Sequence, residues 1–444
     1  MASSPLCRRS FEIRDDDGVM VSRQSFEREI SIDHGGPVDM VVDVPGSKSI
    51  ANRALVLAAM ADGASILTNV PAGDDVEAMA NALGSLGSEI SGGDGVLTVA
   101  GSVDFGTSGA IELDARLAGT TSRFLIALAS LRVGRTTVSG EGRLRERPFG
   151  ELVGALRSLG ADVEGGPGLP ISVQRGNLRG GAVTMSGAVS SQFVSALMMI
   201  GPLLDGGLRI ELSGDVVSSS YISMTAKLMT RFGANVRFDG RTVEVEEGRY
   251  RATTIDIEPD ASSASYPAAL AAIAGGSVRI RRAATIEMQS DRVIFDILRQ
   301  MGVDVSVQDG DMVIERESAE ALRGVDVNLR DSSDLVPTVA VVASRAIGRT
   351  RIRGVGFVRN KESDRIGDLA SELRKFGVTV TEEGDGLDVV GSPVAAATIE
   401  PHHDHRLAMA LSLLGRVAEG TKVSDPAVVS KSWPGFFADM GLVS

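Results

Sequence analysis

Eight basic side chains in this sequence could hold phosphate or carboxylate groups if folding gathered them: Lys48, Arg53, Arg123, Arg147, Lys361, Arg365, Arg406 and Lys431. Each lies in or close behind a polar run that reads as a helix start. One set of runs is Ser47-Lys48-Ser49, Gly119-Thr120-Thr121, Ser190-Ser191-Gln192, Asp260-Ala261-Ser262-Ser263, Asp331-Ser332-Ser333-Asp334 and His403-Asp404-His405-Arg406. Ser, Thr and Asp at such places ordinarily cap the free amides of a first turn. Capping does not account for Lys48 or Arg406, because a cation there opposes the helix dipole. The placement makes sense if an anion sits between the amides and the cation. A second set begins near Asp74-Asp75, Arg147-Pro148, Ser218 to Tyr221, Gln289-Ser290-Asp291, Lys361-Glu362-Ser363-Asp364-Arg365 and Lys431-Ser432-Trp433-Pro434. Basic residues recur at one point of this set too. Together the cations predict a positive cavity that focuses small anions.

The elements that must position these residues repeat. Apolar, helix-like stretches cover 49–62, 120–133, 191–205, 262–274, 334–347 and 405–419, each followed by glycine: Gly63, Gly134, Gly206, Gly276, Gly348 and Gly420. A more polar helix pattern ends at Leu86-Gly87, Leu159-Gly160, Phe232-Gly233, Met301-Gly302, Phe376-Gly377 and Met440-Gly441. Both markers keep a period of about 70 residues. Glycine past a helix is the expected stop, since it takes the left-handed conformation cheaply. The unit therefore holds a buried helix, an amphipathic surface helix and several strands, as in Ala161-Asp162-Val163. Three units make one domain, so six make two.

Composition narrows the function. The chain has 444 residues, a net charge of −13 and 4% aromatics. An acidic chain poor in rings is a weak nucleic-acid binder. Its one cysteine, Cys7, excludes an internal disulfide and fits a cytosolic setting. No apolar run reaches the roughly 18 residues that span a bilayer. Residues 1–35 lack an apolar signal core and carry Asp15, Asp16, Asp17, Glu27 and Glu29, so they read as a flexible extension. Gly46-Ser47-Lys48-Ser49 lacks the upstream glycine of a nucleotide P-loop. His402-His403-Asp404-His405 lacks helical metal-ligand spacing, and no metal or other cofactor is expected.

Pro45-Gly46-Ser47-Lys48-Ser49-Ile50-Ala51-Asn52-Arg53-Ala54 resembles the N-terminal signature of the enolpyruvyl transferases, best in the branch acting on shikimate-3-phosphate. The resemblance continues through Ala118-Gly119-Thr120, Arg145-Glu146-Arg147-Pro148, Ser190-Ser191-Gln192, Asp260 to Tyr266, Lys361 to Arg365 and Asp404-His405-Arg406, over about residues 40–437. It implies an α/β fold of two domains, each of three βαβαββ units arranged as an inverse α/β barrel. The expected domains are 36–46 with 258–444, and 47–257.

The resemblance also implies the reaction: the enolpyruvyl group of phosphoenolpyruvate moves to the 5-hydroxyl of shikimate-3-phosphate and phosphate leaves. Lys48, Ser49, Arg53, Ser190, Ser191, Gln192, Ser218, Tyr221, Asp334 and Lys361 would hold shikimate-3-phosphate. Lys48, Gly119, Arg147, Gln192, Arg365, Arg406 and Lys431 would hold phosphoenolpyruvate. Asp334 would accept the hydroxyl proton and Glu362 would protonate the methylene carbon, with Lys48 in the same cluster. Leu117, Ser122 and Phe357 stand where the family often has Asn, Met and Asn. A monomer is expected, with no nucleic-acid or membrane partner. The sister branch acting on UDP-N-acetylglucosamine often needs a loop cysteine that is absent here. An RNA 3′-phosphate cyclase would need a basic RNA face. A non-catalytic repeat scaffold has no reason to place cations at helix starts.

Overall fold

In the computed structural model, residues 29–100, 103–317 and 321–444 are described; Cys7 and residues 1–28 lie outside them. The flexible extension expected over 1–35 does not hold for its described residues. Glu29–Ser31 is a strand, paired antiparallel with Lys422–Ser424 near the other end of the chain.

Twelve α-helices alternate in character along the described chain. The apolar set is α1 (Lys48–Ala59), α3 (Gly119–Ala129), α5 (Ser191–Ile200), α7 (Ala261–Ala274), α9 (Val336–Ala343) and α11 (His405–Ser412). The amphipathic set is α2 (Asp74–Ser85), α4 (Gly150–Ser158), α6 (Ser219–Arg231), α8 (Ile294–Gln300), α10 (Gly367–Lys375) and α12 (Phe436–Asp439). Helix α7 is buried over all 14 residues, which is why its sequence shows no polar face. Helix α3 packs on both α1 and α5, and α9 packs on both α7 and α11. Apolar helices thus form the interior of each half and sheets form its outside.

Five four-stranded sheets share one pattern, a parallel pair continued by an antiparallel hairpin. In the sheet of Ile111–Asp114, Thr136–Ser139, Ile171–Gln174 and Asp162–Gly165, α3 and α4 connect the strands in βαβαββ order. Two units borrow their first strand. Val38–Val42 pairs parallel with Gly276–Ile280, and Thr254–Asp256 pairs parallel with Ser65–Thr68. The borrowing makes the chain cross between halves twice, and the crossings are tied: Ser47 N–H donates to Glu258 O and Asp260 N–H to Pro45 O, each at 2.8 Å. The sheet of the sixth unit has three strands, and Glu29–Ser31 stands where its hairpin would be.

This connectivity produces two apolar cores. One gathers residues from Ile50 to Ile257 and adds Met288; the other takes Ile32 to Val44 and Ala261 to Leu442.

The two glycine series do different jobs. Each amphipathic helix ends in the same bond pair: Gly87 N–H to Gly84 O with Ser88 N–H to Leu83 O in α2, and Gly377 N–H to Arg374 O with Val378 N–H to Leu373 O in α10. This is the Schellman closure, which needs a left-handed residue; Gly87 has φ 102° and Gly377 has φ 83°. The glycines of the apolar series are not helix caps as expected. They sit farther on, where the next strand begins. At Gly134 the reason is crowding, since a Cβ would collide with the carbonyl oxygens of Gly109 and Thr107.

Candidate active site

One cavity lies between the two cores, and the helix starts of both halves face it. Lys48, Ser49, Arg53, Gly119, Arg147, Ser190, Ser191, Gln192, Ser218 and Tyr221 line it from one side; Asp334, Lys361, Glu362, Arg365 and Arg406 line it from the other. Lys431 reaches it through Glu362, with Nζ 3.2 Å from Oε1. All of the sequence-predicted site residues are therefore brought together except Arg123, one of the eight cations. Arg123 is buried behind the wall, stacked 5.2 Å from the Phe149 ring and 5.1 Å from the Phe193 ring. Its guanidinium donates to Gln192 Oε1 at 2.6 Å, so it positions Gln192 instead of facing a ligand.

Local structure explains how the cations reach the cavity. Arg147, Lys361 and Lys431 do not sit in the first turn of α4, α10 and α12. They end or come just after short 3-10 turns, Gly142–Glu146, Gly356–Asn360 and Pro426–Lys431. Beyond the first two turns the backbone is extended at Arg147 and irregular at Lys361, which swings both side chains toward the cleft before the helix begins. The apolar helices are capped unevenly. Ser190, Asp260 and Asp404 accept from first-turn amides. At α1 and α3 no side chain caps the amides, which leaves those starts available to an anion.

Asp334 and Glu362 are the hub of the charges. Asp334 Oδ1 accepts from Arg365 Nη1 at 2.8 Å, and Oδ2 accepts from Arg406 Nη2 at 2.7 Å and from Tyr221 Oη at 3.3 Å. Glu362 accepts from Arg365 Nη2 at 2.9 Å and lies 3.7 Å from Arg147 Nη1. Burial alone would raise both carboxyls. The surrounding cations outweigh it: Arg406, Arg365 and Lys361 hold Asp334 below its ordinary range, and Lys431, Arg365 and Arg147 do the same to Glu362. Burial lowers the Lys361 ammonium. Lys48 pairs with Asp75 at 2.9 Å.

Several further residues shape the site, of which Asp404, His405 and Asp291 stand in runs that the sequence marks as helix starts while Ser195 and Thr225 do not. Asp404, fully buried, accepts from Arg365 Nε at 2.6 Å and from Ser363 Oγ at 3.0 Å, and so fixes the arginine that bridges the two hub carboxylates. Ser195 and Thr225 receive Arg53, at 3.2 and 2.7 Å. Their spacing along α5 and α6 gives no signal, because a buried Ser or Thr reads as ordinary helix filling. His405 lines the cavity with neither ring nitrogen hydrogen-bonded among the described residues, Nδ1 lying 3.9 Å from Asp404 Oδ1, and burial with Lys48 and Arg406 nearby pushes its pKa far down. Asp291 is buried beside Asp334, accepts from Ser262 Oγ, and is raised to about 7 by burial and by Asp334. Of the departures, Phe357 lines the cavity 5.8 Å from Lys361 Nζ, Leu117 offers its carbonyl to Lys431 Nζ at 3.4 Å, and the Ser122 hydroxyl turns back to Gly119 O at 3.0 Å.

A cleft lined by paired carboxylates and convergent guanidinium groups suits joining two anionic molecules. Residues 32–440 match the family model described as EPSP synthase (3-phosphoshikimate 1-carboxyvinyltransferase). The chain belongs to the EPSP synthase family. Its EPSP synthase relatives include the 3-phosphoshikimate 1-carboxyvinyltransferase of Methanopyrus kandleri, 43% identical over 90% of this chain and 94% of that protein. That of Methanoculleus marisnigri is 38% identical over 92% and 97%. An EPSP synthase structure from Acinetobacter baumannii superposes with a TM-score of 0.77 at 25% identity, covering 94% of this chain and 98% of that one. The repeated units described above, five with four-stranded sheets and one with three strands, are thus the EPSP synthase fold.

Proposed function

We propose that this EPSP synthase family member carries out its reaction, enolpyruvyl transfer from phosphoenolpyruvate to the 5-hydroxyl of shikimate-3-phosphate in aromatic amino-acid biosynthesis, with the residues that line the cavity between its two cores. The observation that carries the residue assignment is Arg365, which touches Asp334 and Glu362 at once.

Attack on the enol carbon needs its neighbouring methylene protonated and the attacking hydroxyl deprotonated, so one acid and one base must meet the reactants. Glu362 is assigned as the acid and Asp334 as the base. The carbon–oxygen bond forms at C2, and C2 then loses phosphate while the methyl group returns a proton. Arg147, Arg365, Arg406 and Lys431, with Gly119 at the start of α3, receive the phosphate and carboxylate of phosphoenolpyruvate. Ser190, Ser191, Ser218, Tyr221, Ser49 and Arg53 surround shikimate-3-phosphate, with Lys48 and Gln192 between the two ligands and Lys361 beside Asp334. Arg53 contributes from a fixed position, because its donors already meet Thr225, Ser195 and the Ser49 carbonyl.

Asp334 and Glu362 pair with Arg365, Arg406 and Lys431 across the cavity. Both carboxylates hold the cations that the substrate anions need. Arrival of phosphoenolpyruvate therefore takes the cations from Glu362, lets its pKa rise and turns it from an ion-pair partner into an acid.

The two cores support the division into 36–46 with 258–444, and 47–257, closing over the site, with Ile32 joining the first and Met288 packing into the second. Every group in the mechanism comes from one chain, which is consistent with a working monomer. Among the described residues no helix is long and apolar enough to cross a membrane; a cytosolic place suits the biosynthetic reaction. A phosphate-release assay with shikimate-3-phosphate and phosphoenolpyruvate tests the proposal. Turnover is expected with that pair, and turnover only with UDP-N-acetylglucosamine would reassign the substrate.

A further inference from the structure

The His402-His403 pair has no place in the reaction, yet its backbone is unusual. Both residues are in the left-handed region, at φ 52° and 59°, and Asp404 N–H closes the turn onto Pro401 O at 2.9 Å. A tight turn with two such central residues ordinarily uses Asn and Gly, because a larger side chain is strained there. Strain of this kind persists only where the surroundings over-determine it, and it gathers at functional sites.

The surroundings here centre on one side chain, with Asp368 Oδ1 a further 3.9 Å neighbour of His402 Nδ1. Glu372, on α10, is 1% exposed. Its Oε1 meets His402 Nε2 at 2.9 Å, its Oε2 accepts Glu400 N–H at 3.0 Å, and Lys375 Nζ lies 2.7 Å from Oε1. The carboxylate thus grips the turn on both sides of Pro401. The turn leads directly into the start of α11: Asp404, which caps the helix through Arg406 N–H at 2.9 Å and holds Arg365, then His405, then Arg406. A loosened turn would move the Asp404–Arg365 pair and Arg406 together.

We propose that Glu372 and His402 form a clamp that positions Arg406 and Arg365 for phosphoenolpyruvate; both are positioning residues acting through the strained turn. This rests on the reading that those arginines hold phosphoenolpyruvate. The structure links the clamp to the arginine side of the cavity and not to Ser190, Ser191 and Ser218. Loss of the clamp therefore raises KM for phosphoenolpyruvate far more than the Kd of shikimate-3-phosphate, which meets the same arginines only through Asp334.

Four proteins test it: wild type, Glu372→Ala, His402→Gly and His402→Gln. His402→Gly relieves the left-handed strain while removing the ring, so it keeps or raises Tm. It is expected to raise KM for phosphoenolpyruvate about tenfold, with the Kd of shikimate-3-phosphate within twofold of wild type. His402→Gln keeps a donor that reaches Glu372 and restores most of the affinity. Glu372→Ala shows the same KM change with a lower Tm. Unchanged KM in His402→Gly, or equal losses for both substrates, overturns the clamp. Failure of wild type to use the substrate pair instead overturns the functional reading beneath it.

Discussion

Arg365 holds Asp334 at 2.8 Å with one terminal nitrogen, while its own Nε is held by Asp404 at 2.6 Å. The carboxylate proposed as the base is thereby fixed from behind by a buried ion pair, with Arg365 only 2% exposed. Asp334→Asn keeps the shape of the hub and removes the proton acceptor. Turnover should fall by about 100- to 10,000-fold, the usual share of a general base. Shikimate-3-phosphate should still bind, as titration calorimetry will measure. Near-normal turnover would remove Asp334 from the mechanism.

Glu362 is held ionised by Lys431, Arg365 and Arg147, and in the proposed mechanism substrate anions replace it. Binding phosphoenolpyruvate to the enzyme with shikimate-3-phosphate, or with an unreactive analogue of it, should take up a proton near neutral pH. The observed binding enthalpy will then vary with the ionisation heat of the buffer. Glu362→Gln should abolish that variation. Buffer-independent enthalpy in wild type would contradict the exchange of partners.

His405 is buried and its folded-state pKa lies well below its ordinary 6.5. The unfolded chain binds a proton below about pH 6.5 that the folded chain refuses, so stability is complete above that pH and falls as pH drops. The depressed carboxyls of Asp334 and Glu362 act in the same direction at lower pH: their contribution is present above the ordinary carboxylate pKa and lost as pH falls through the folded one. Asp291, raised to about 7, opposes this between pH 7 and 5, because there only the folded chain gains its proton. Urea unfolding compared between wild type and His405→Gln isolates the histidine: the free energy of the variant should gain on that of wild type as pH falls from 7 to 5.

Arg53 is stacked 5.2 Å from Phe124 and 5.8 Å from Tyr221, and burial lowers its pKa to about 10. Arg53→Lys keeps charge but loses the planar fork that serves Ser49, Ser195 and Thr225 together. Stability should fall by about 1–3 kcal/mol, the cost of stranded buried polar groups. The Kd of shikimate-3-phosphate should rise while KM for phosphoenolpyruvate changes little. Urea unfolding and calorimetry measure both.

The architecture was legible because its markers are local. A Schellman closure requires glycine at one defined place, so Gly87, Gly160, Gly233, Gly302, Gly377 and Gly441 announced six helix ends. The cations were legible because Lys48 and Arg406 oppose a helix dipole without a ligand. What the sequence concealed depends on non-local geometry. Arg123 looks like its neighbours Arg147 and Arg53, and only the packing of Phe149 and Phe193 turns it away from the cavity. The apolar-series glycines looked like caps because a helix end and the turn opening the next strand can share a residue type. Glu29–Ser31 read as extension because its partner strand lies about 390 residues away, beyond any local pattern.

The reaction is a transfer between two substrates, not hydrolysis of one, and phosphorus NMR on the purified protein separates the two. One equivalent of inorganic phosphate should appear for each phosphoenolpyruvate consumed, only when shikimate-3-phosphate is present, as the shikimate-3-phosphate resonance gives way to that of its enolpyruvyl ether. Phosphate appearing without shikimate-3-phosphate, or no reaction with both present, would rule out enolpyruvyl transfer at this site.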